Sequence, residues 1–230
     1  DLVRFFSGGR YKKSKEEIAQ AYSSEPWWYD IRGFFILTFS YRSTIWEQVG
    51  FFGNNMRSPH MEVAIGTGTL FDIILKWRKW KKREEPDIVG VDYAESMLKG
   101  AEARFGKYPN IELKHADVGD LPYPDDHFQT INIANAIHCF PDIDKSIEEV
   151  LRVLQPTGTL AINVLLYPKG TGVLDAISSR INRWGIKKGI LVTPYTKEAI
   201  KEKLQEAGAV VKYEKVSGNT YNILVGKLND

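Results

Sequence analysis

The sequence predicts an α/β protein in which parallel strands carry a ligand site at their ends. MEVAIGTGTLFDIIL (Met61 to Leu75) is an apolar run, a glycine-containing turn and then helical spacing of apolar residues, a pattern typical of strand, tight loop and helix. A second apolar run that ends in an acid follows in DIVGVDYAESML (Asp87 to Leu98). AVVKYEKV (Ala209 to Val216) and TYNILVGKL (Thr220 to Leu228), joined by SGN, predict a terminal β hairpin.

The remaining elements follow from periodicity and from start and stop signals. The strands are predicted at IELKHA (Ile111 to Ala116), FQTINIAN (Phe128 to Asn135) and TLAINVLLY (Thr159 to Tyr167). The helices are predicted to begin at Ser14 and Thr69 and to cover Ile143 to Leu154 and Thr196 to Gly208. Such alternation of strands and helices predicts a sheet covered on both faces.

The predicted ligand-binding residues lie in the turn after the first strand and at the end of the second strand. Gly66 and Gly68 stand where the backbone must bend sharply and let a ligand approach closely. Asp92 ends the second strand, and an ionised carboxylate can accept both hydrogen bonds of a ribose diol. A dinucleotide loop would have a third glycine three residues after Gly68, where this chain has Phe71, so a ligand without a pyrophosphate is favoured.

Five blocks resemble, in order, the motifs of class I S-adenosylmethionine-dependent methyltransferases. They are EVAIGTG (Glu62 to Gly68), GVDYAESML (Gly90 to Leu98), HADVGDLPYPDDHFQTI (His115 to Ile131), ANAIHCFPD (Ala134 to Asp142) and EEVLRVLQPTGTL (Glu148 to Leu160). The chain is most similar to the branch of ubiquinone and menaquinone biosynthesis enzymes. The resemblance implies a Rossmann-like, seven-stranded, mostly parallel sheet with an antiparallel terminal strand and a helical N-terminal cap.

The resemblance also implies that the chain has two parts with different roles. Residues 1–55, rich in aromatic side chains, are expected to form the helical cap, either as ordinary packing or as a lid over an apolar substrate. Residues 56–230 are expected to form the S-adenosylmethionine-binding domain, with an insertion at 168–195 that helps to build the substrate pocket. The expected activity is methyl transfer to a small, hydrophobic or aromatic acceptor.

By resemblance, the cofactor would contact a set of residues drawn from the cap and from four strand ends. They are Tyr29, Ala64, Gly66, Thr67, Gly68, Asp92, Tyr93, Met97, Asp117, Val118 and Asn135. Asp117 would meet the adenine amino group and the Val118 amide a ring nitrogen, while Asn135 would lie beside the methionine part. Purely structural roles stay open for two of them, because Asp92 could cap a helix and Asp117 could cap a loop.

Two positions depart from the family pattern. Ala64 replaces the usual first glycine of the loop, and Thr157 with Gly158 replaces a usual glycine pair. Alanine adds only a methyl group, so cofactor binding is expected to survive. His138 is the candidate general base, since histidine titrates near neutral pH, and the alternative is a helix-start histidine packed under the cap. Cys139 is expected to be a small buried filler.

Composition narrows the class of protein further. A net charge of +2 argues against whole-chain binding to nucleic acid, and one cysteine indicates a cytoplasmic protein without an internal disulfide. Four histidines with that cysteine offer no zinc-ligand spacing, so no metal is expected. The apolar run Gly33 to Phe39 is far short of the ~20 residues that span a bilayer. The basic stretch Lys76 to Arg83 predicts a solvated helix end, with peripheral contact to anionic lipid or RNA as the alternative.

Two other functions compete with methyl transfer. A catalytically inactive methyltransferase-fold module would bind a partner, and Ala64 would be an early sign of lost activity. Asp92 and Asp117 argue against that interpretation. A nicotinamide oxidoreductase is disfavoured by Phe71 and by the terminal hairpin.

Overall fold

A computed structural model of the chain describes residue 16, residues 44–167, positions 176, 179, 180 and 183, and residues 195–228. The helices are α1 (Ile45–Asn54), α2 (Thr69–Trp80), α3 (Glu95–Phe105), α4 (Ile143–Val153) and α5 (Lys197–Glu206). The strands are β1 (His60–Val63), β2 (Ile88–Asp92), β3 (Ile111–His115), β4 (Phe128–Ile133), β5 (Leu154–Leu165), β6 (Ala209–Ser217) and β7 (Thr220–Lys227). The predicted Ser14 helix start, most of the cap and almost all of the 168–195 insertion lie outside the described residues, so the two-part division of the chain stays a prediction.

The sheet has seven strands in the order β3-β2-β1-β4-β5-β7-β6. Neighbouring strands from β3 to β5 are parallel, and β7 runs antiparallel to both β5 and β6. The prediction of a mostly parallel sheet with an antiparallel terminal strand is therefore confirmed. Because β1 lies between β2 and β4, the order of the strands reverses there, and a crevice opens at the carboxyl ends of these strands.

The predicted bounds of β4 and β5 were wrong. β5 begins at Leu154, directly after α4, and not at Thr159, because Leu154 already has extended backbone angles and pairs with Phe128. A bulge then separates that pair from the regular register at Thr130. β4 ends at Ile133, two residues before the predicted end, and Asn135 turns away with a φ of +55°.

Apolar residues cover the sheet on both faces. Ile162 of β5 belongs to a cluster with residues of α4 and α5, such as Ile147 and Leu204. Its neighbour Ala161 belongs to a second cluster with residues of α1, α2 and α3, such as Phe52. Successive residues of a strand point to opposite faces, so β5 is buried on both sides, as expected for a parallel sheet between helices.

The face of the sheet below α1 also carries a buried polar network. Asn55, just after α1, donates from Nδ2 to Asn132 Oδ1 at 3.0 Å, and Asn132 Nδ2 donates to Glu62 Oε2 at 3.1 Å. His60 lies 3.2 Å from the same Glu62 oxygen and 2.8 Å from Thr130 Oγ1. All five side chains are buried. Polar groups in a low-dielectric interior are costly unless paired, so this network defines how α1 sits on the sheet.

The basic end of α2 divides into an exposed and a buried part. Trp80 is 72% exposed, with Lys81 Nζ 4.3 Å above its ring. Arg78, in contrast, is buried and donates to the carbonyl oxygens of Gly53 and Glu84, each at 2.5 Å. Burial lowers the pKa of Arg78 from its ordinary value. The solvated-end interpretation therefore fails for Arg78, which joins α2 to α1. Among the described helices, none is long and apolar enough to cross a membrane.

Glu214 of β6 links the terminal hairpin to α5. Its carboxylate lies 2.9 Å from Lys197 Nζ and 3.4 Å from Lys201 Nζ, and it accepts a hydrogen bond from the Tyr221 hydroxyl at 2.5 Å. The Lys197 contact first, and the Tyr221 hydroxyl next, lower the pKa of Glu214 from 4.5 to about 2. A carboxylate with a lowered pKa stabilises the folded state only while it is ionised.

We expect Glu214→Gln to lower the thermal midpoint above pH 4.5 and to lose this effect as the pH falls towards about 2. The reason is that the folded state resists protonation of Glu214 in that window, whereas the unfolded state does not. Thermal denaturation of both proteins across this pH range measures the effect, with the exposed Glu202→Gln of α5 as the control. A midpoint difference that does not change with pH would contradict the assignment.

Candidate functional site

The loop between β1 and α2 folds over the carboxyl end of the sheet. Ala64, Gly66 and Gly68 have φ angles of +54°, +61° and +78°. The Ile65 amide donates to the Val91 carbonyl of β2 at 3.0 Å, and the Gly68 amide donates to the Ile65 carbonyl at 3.1 Å. Positive φ is free for glycine but strained for alanine, so Ala64 is a non-glycine residue at a position that favours glycine.

Asp92, at the end of β2, forms a hydrogen bond with this loop. Its Oδ2 accepts a hydrogen bond from the Gly66 amide at 2.8 Å, and its Oδ1 accepts one from the Ala94 amide at 2.8 Å. Burial is the largest influence and raises the pKa of Asp92, while the amides of Ala94, Gly66 and Tyr93 oppose that shift. An ionised carboxylate has about four acceptor positions, so these contacts leave capacity for further donors. Helix capping and ligand binding are therefore compatible at Asp92.

The two glycines of the loop differ in what surrounds them. A Cβ at Gly66 would have no atom within 4 Å, so open space adjoins the amide that contacts Asp92. A Cβ at Gly68 would lie 2.3 Å from Cε2 of Phe105 on α3. Phe71 packs on the same Phe105 ring, with centroids 5.5 Å apart and planes at 76°. Gly68 thus permits α2 and α3 to pack closely, and Gly66 leaves room for a ligand.

The predicted residues Thr67, Tyr93 and Met97 lie in the loop after β1, directly after β2 and in α3. Thr67 is buried, and its carbonyl accepts a hydrogen bond from Arg104 Nε at 3.0 Å. Met97 is buried in the first turns of α3. Tyr93 is half-buried, and its hydroxyl donates to Glu16 Oε1 at 3.0 Å. This last contact connects the end of β2 to the segment predicted as the cap.

Asp117 and Val118 follow β3 at the same edge. Asp117 Oδ1 accepts a hydrogen bond from the Gly119 amide at 2.9 Å, and its carbonyl accepts one from the Asp120 amide at 3.0 Å. The loop-capping role is therefore present. Val118 is half-buried against the larger apolar cluster. The contacts of both residues with an adenine ring stay a prediction.

Asn135 follows β4, and both polar atoms of its side chain form hydrogen bonds. Its Oδ1 accepts from Asn163 Nδ2 at 2.7 Å, and its Nδ2 donates to Gln48 Oε1 of α1 at 3.0 Å. The backbone amide of Asn135 donates to Asn163 Oδ1 at 2.5 Å. Sequence reasoning missed Gln48 and Asn163, although Asn163 interrupts the apolar run Leu160 to Leu166, a pattern that signals a buried partner. Asn135 therefore fixes the backbone that leaves β4.

His138, the candidate general base, lies in the short 3-10 helix Ile137–Cys139 and is 5% exposed. Burial lowers its pKa to about 3, so the ring is neutral at pH 7. A base whose conjugate acid has so low a pKa accepts a proton poorly in that range. The catalytic role stays a prediction that this environment disfavours. Cys139 is partly exposed, so the expectation of a buried filler was wrong.

The strand order brings most of the predicted cofactor residues to one edge. Asp117, Asp92, the loop around Gly66 and Asn135 follow four adjacent strands, in the order β3, β2, β1 and β4. Tyr29 lies outside the described residues. Within the described part of the chain, no group of three or more His, Cys, Asp or Glu side chains could hold a metal ion. The edge therefore combines a glycine-lined opening with the Asp92 carboxylate.

Comparison with known proteins agrees with this arrangement. Residues 61–162 match the family model described as a methyltransferase domain. The predicted resemblance to class I methyltransferases is confirmed. The matched segment runs from β1 to the middle of β5, so it contains the loop of Gly66 and the strand end of Asp92.

Two curated relatives fall in the predicted branch of the methyltransferases. Demethylmenaquinone methyltransferase of Lysinibacillus sphaericus is 32% identical over 110 residues, which are 45% of this chain and 47% of the relative. Ubiquinone/menaquinone biosynthesis C-methyltransferase of Rickettsia akari is 36% identical over 110 residues, which are 45% of this chain and 43% of the relative. The chain thus spans less than half of each of these relatives.

Solved structures extend the likeness of the fold beyond the matched segment. In the complex between the Haloferax volcanii Trm112 methyltransferase activator and a protein assigned as a methyltransferase, the similar chain gives a TM-score of 0.67 at 15% identity. The superposition covers 90% of this chain and 98% of that one. At this identity the likeness concerns the methyltransferase fold.

We expect Ala64→Gly to raise the free energy of unfolding by about 0.5 to 1 kcal/mol, because relief of left-handed strain exceeds the added flexibility of the unfolded chain. Chemical denaturation measures the change. Ala103→Gly, in the interior of α3, is the control, since a helical alanine has no left-handed strain to relieve and glycine there should lower the free energy of unfolding. Equal effects of the two substitutions would show that Ala64 is not strained.

We expect Gly66→Ala and Gly68→Ala to differ in kind. Both introduce left-handed strain of about 1 to 2 kcal/mol, but Gly68→Ala adds a clash with Phe105 that costs about 1 to 3 kcal/mol more. Denaturation compares their stabilities, and ligand titration compares their sites. Gly66→Ala should fold and weaken ligand binding. A Gly68→Ala protein as stable as Gly66→Ala would refute the packing role of Gly68.

Proposed function

We propose that this chain binds S-adenosylmethionine at the carboxyl edge of β1, β2, β3 and β4 and transfers its methyl group to a small hydrophobic or aromatic acceptor. The observation that carries the proposal is the contact between the Gly66 amide and the Asp92 carboxylate. It brings an open glycine loop and a ribose-binding acid to one point. The methyltransferase-domain match over residues 61–162 supports the same cofactor.

The residues at this edge suit the chemistry of the cofactor. Asp92 retains acceptor positions for the two ribose hydroxyls, and the space beside Gly66 admits the part of the ligand that follows the ribose. Buried Met97 and the half-buried ring of Tyr93 offer apolar surface near that acid. Phe71 fills the position at which a dinucleotide loop has its third glycine, so a pyrophosphate is a poorer fit.

When bound, S-adenosylmethionine supplies an already activated methyl group on a sulfonium. The chain therefore has to orient the acceptor, exclude water and leave the attacking atom poorly solvated. Within the proposal His138 need not take a proton, since burial lowers its pKa to about 3. The names of the two quinone-pathway relatives support an aromatic acceptor.

Calorimetric titration with S-adenosylmethionine and with NADH tests the cofactor. We expect the first ligand alone to bind. Asp92→Asn should weaken its binding by about 1 to 3 kcal/mol, the range for losing hydrogen bonds to a charged group. Asp87→Asn, directly before the start of β2, is the matched control and should bind as the unmodified chain does.

A second measurement separates an enzyme from an inactive binding module. Incubation with methyl-labelled S-adenosylmethionine and a panel of phenolic and quinol acceptors should yield a labelled small molecule, and Asp92→Asn should reduce the yield. Cofactor binding without any labelled product would favour the inactive module. Absence of S-adenosylmethionine binding would overturn the proposal entirely.

A further inference from the structure

A second cavity lies away from the cofactor edge, between α1 and the terminal hairpin. Its volume is about 470 Å³, and α1, β6 and β7 supply most of its wall. The lining includes Trp46, Phe51, Arg57, Tyr213, Asn222 and Leu224. Of the predicted cofactor residues that the structure describes, none belongs to that lining. The methyl-transfer proposal gives this cavity no role.

Asn222 of β7 is the unusual member of the lining. It is 1% exposed, and within the described part of the chain neither Nδ2 nor Oδ1 of its side chain has a hydrogen-bond partner. Buried polar side chains are nearly always paired, because an unpaired one loses its bonds to water without replacement. A primary amide can donate and accept at the same time, so it can form a two-bond pair with a matching group of a ligand.

The side chains next to Asn222 on the same face of the sheet already form hydrogen bonds or ion pairs with other residues. Asn163, opposite on β5, bonds to Asn135 through both amide atoms. Lys215, opposite on β6, lies 2.7 Å from Glu47 Oε1, and Ser217 Oγ donates to the other Glu47 oxygen at 2.7 Å. These contacts occupy the polar groups beside Asn222 at this end of the cavity and leave the Asn222 amide for an incoming molecule.

Arg57 lies at the other end of the cavity. Its Nη2 donates to Thr159 Oγ1 at 3.2 Å, and among the described residues no carboxylate forms an ion pair with it. Thr159 is four residues before Asn163, the residue of β5 that lies opposite Asn222 in the sheet. Four residues correspond to about 13 Å along a strand. A ligand that reached both ends would therefore need an anionic group and an amide-like group separated by a short rigid spacer.

The rings along the wall indicate the nature of that spacer. Trp46 is 69% exposed and Tyr213 is 47% exposed, although both are large and partly apolar. Phe51 lies beside Tyr213, with ring centroids 6.3 Å apart. Aromatic side chains gain most from contact with a flat, apolar partner. A benzene-sized ring between the two polar ends of the ligand would contact the aromatic side chains of this wall.

We propose that the cavity between α1 and the hairpin is a binding site for a small aromatic carboxylate that carries an amide-like donor and acceptor at its far end. Asn222 recognises the amide-like group through two hydrogen bonds, Arg57 pairs with the carboxylate, and Trp46, Phe51 and Tyr213 contact the ring. This site is separate from the cofactor edge.

Calorimetric titration with 4-carbamoylbenzoate tests the site, because this probe has a primary amide and a carboxylate on opposite ends of one ring. We expect saturable binding with a dissociation constant of about 1 mM or tighter, the range for a ligand with about a dozen heavy atoms. Benzamide and benzoate, which each lack one end, should bind about tenfold more weakly. The same protein titrated with S-adenosylmethionine reports the cofactor edge independently.

Variants assign the binding to this cavity. Asn222→Leu keeps the branched shape of the side chain and, although leucine is larger, removes two unpaired polar atoms, so it should fold, raise the thermal midpoint and weaken the probe about tenfold or more. Arg57→Gln should weaken the probe about tenfold, whereas Lys212→Gln, which removes the same charge outside the lining, should not. No saturable binding by the unmodified chain, or equal affinities in all variants, would overturn the proposal. Either result would leave the cofactor titration free to succeed.

Discussion

The hydrogen bond from the Gly66 amide to the Asp92 carboxylate is the contact on which the arrangement of the site depends. It joins the loop after β1 to the end of β2, and it requires the loop to turn through left-handed conformations at three positions. The same turn brings Gly68 against Phe105, so α2 and α3 pack where a side chain at position 68 would collide. One short loop therefore determines the local backbone geometry, the packing of α2 on α3 and the position of the Asp92 carboxylate.

The helix α1 has a wider role than the prediction of an aromatic cap assigned to the first 55 residues. It packs on α2 through the second apolar cluster, holds Asn135 through Gln48, and forms one wall of the cavity that contains Asn222. Asn55, at its end, joins the polar network with Asn132. A helix held to a sheet by so many directed bonds has a defined position, since displacement would leave buried polar groups unpaired.

The comparisons and the geometry bear on different questions. The match over residues 61–162 and the order of the strands agree on the methyltransferase fold. A fold does not by itself identify a reaction, because the chemistry depends on the residues at the strand ends. Here those residues are an acid and a glycine loop at the cofactor edge, together with a neutral buried histidine, His138, of low pKa. They suit a reaction in which the cofactor brings its own activated group.

Local sequence patterns were sufficient for the order of the elements, the terminal hairpin and the edge at which the site lies. Glycine spacing, apolar periodicity and an acid at a strand end act over a few residues, so they can be recognised without the fold. The family motifs likewise predicted the sheet. Contacts between distant residues could not be recognised in this way.

Those distant contacts depend on burial and on the pairing of strands. The pKa of His138 follows from its enclosure, and the role of Asn135 follows from Gln48, which is 87 residues away in the chain. Arg78 belongs to a basic run that is otherwise typical of a solvated helix end, yet it is buried against α1. Asn222 is an ordinary polar residue of an edge hairpin until β5, β6 and α1 enclose it. Tertiary packing removes water from such side chains, and only then do their bonding needs determine their function.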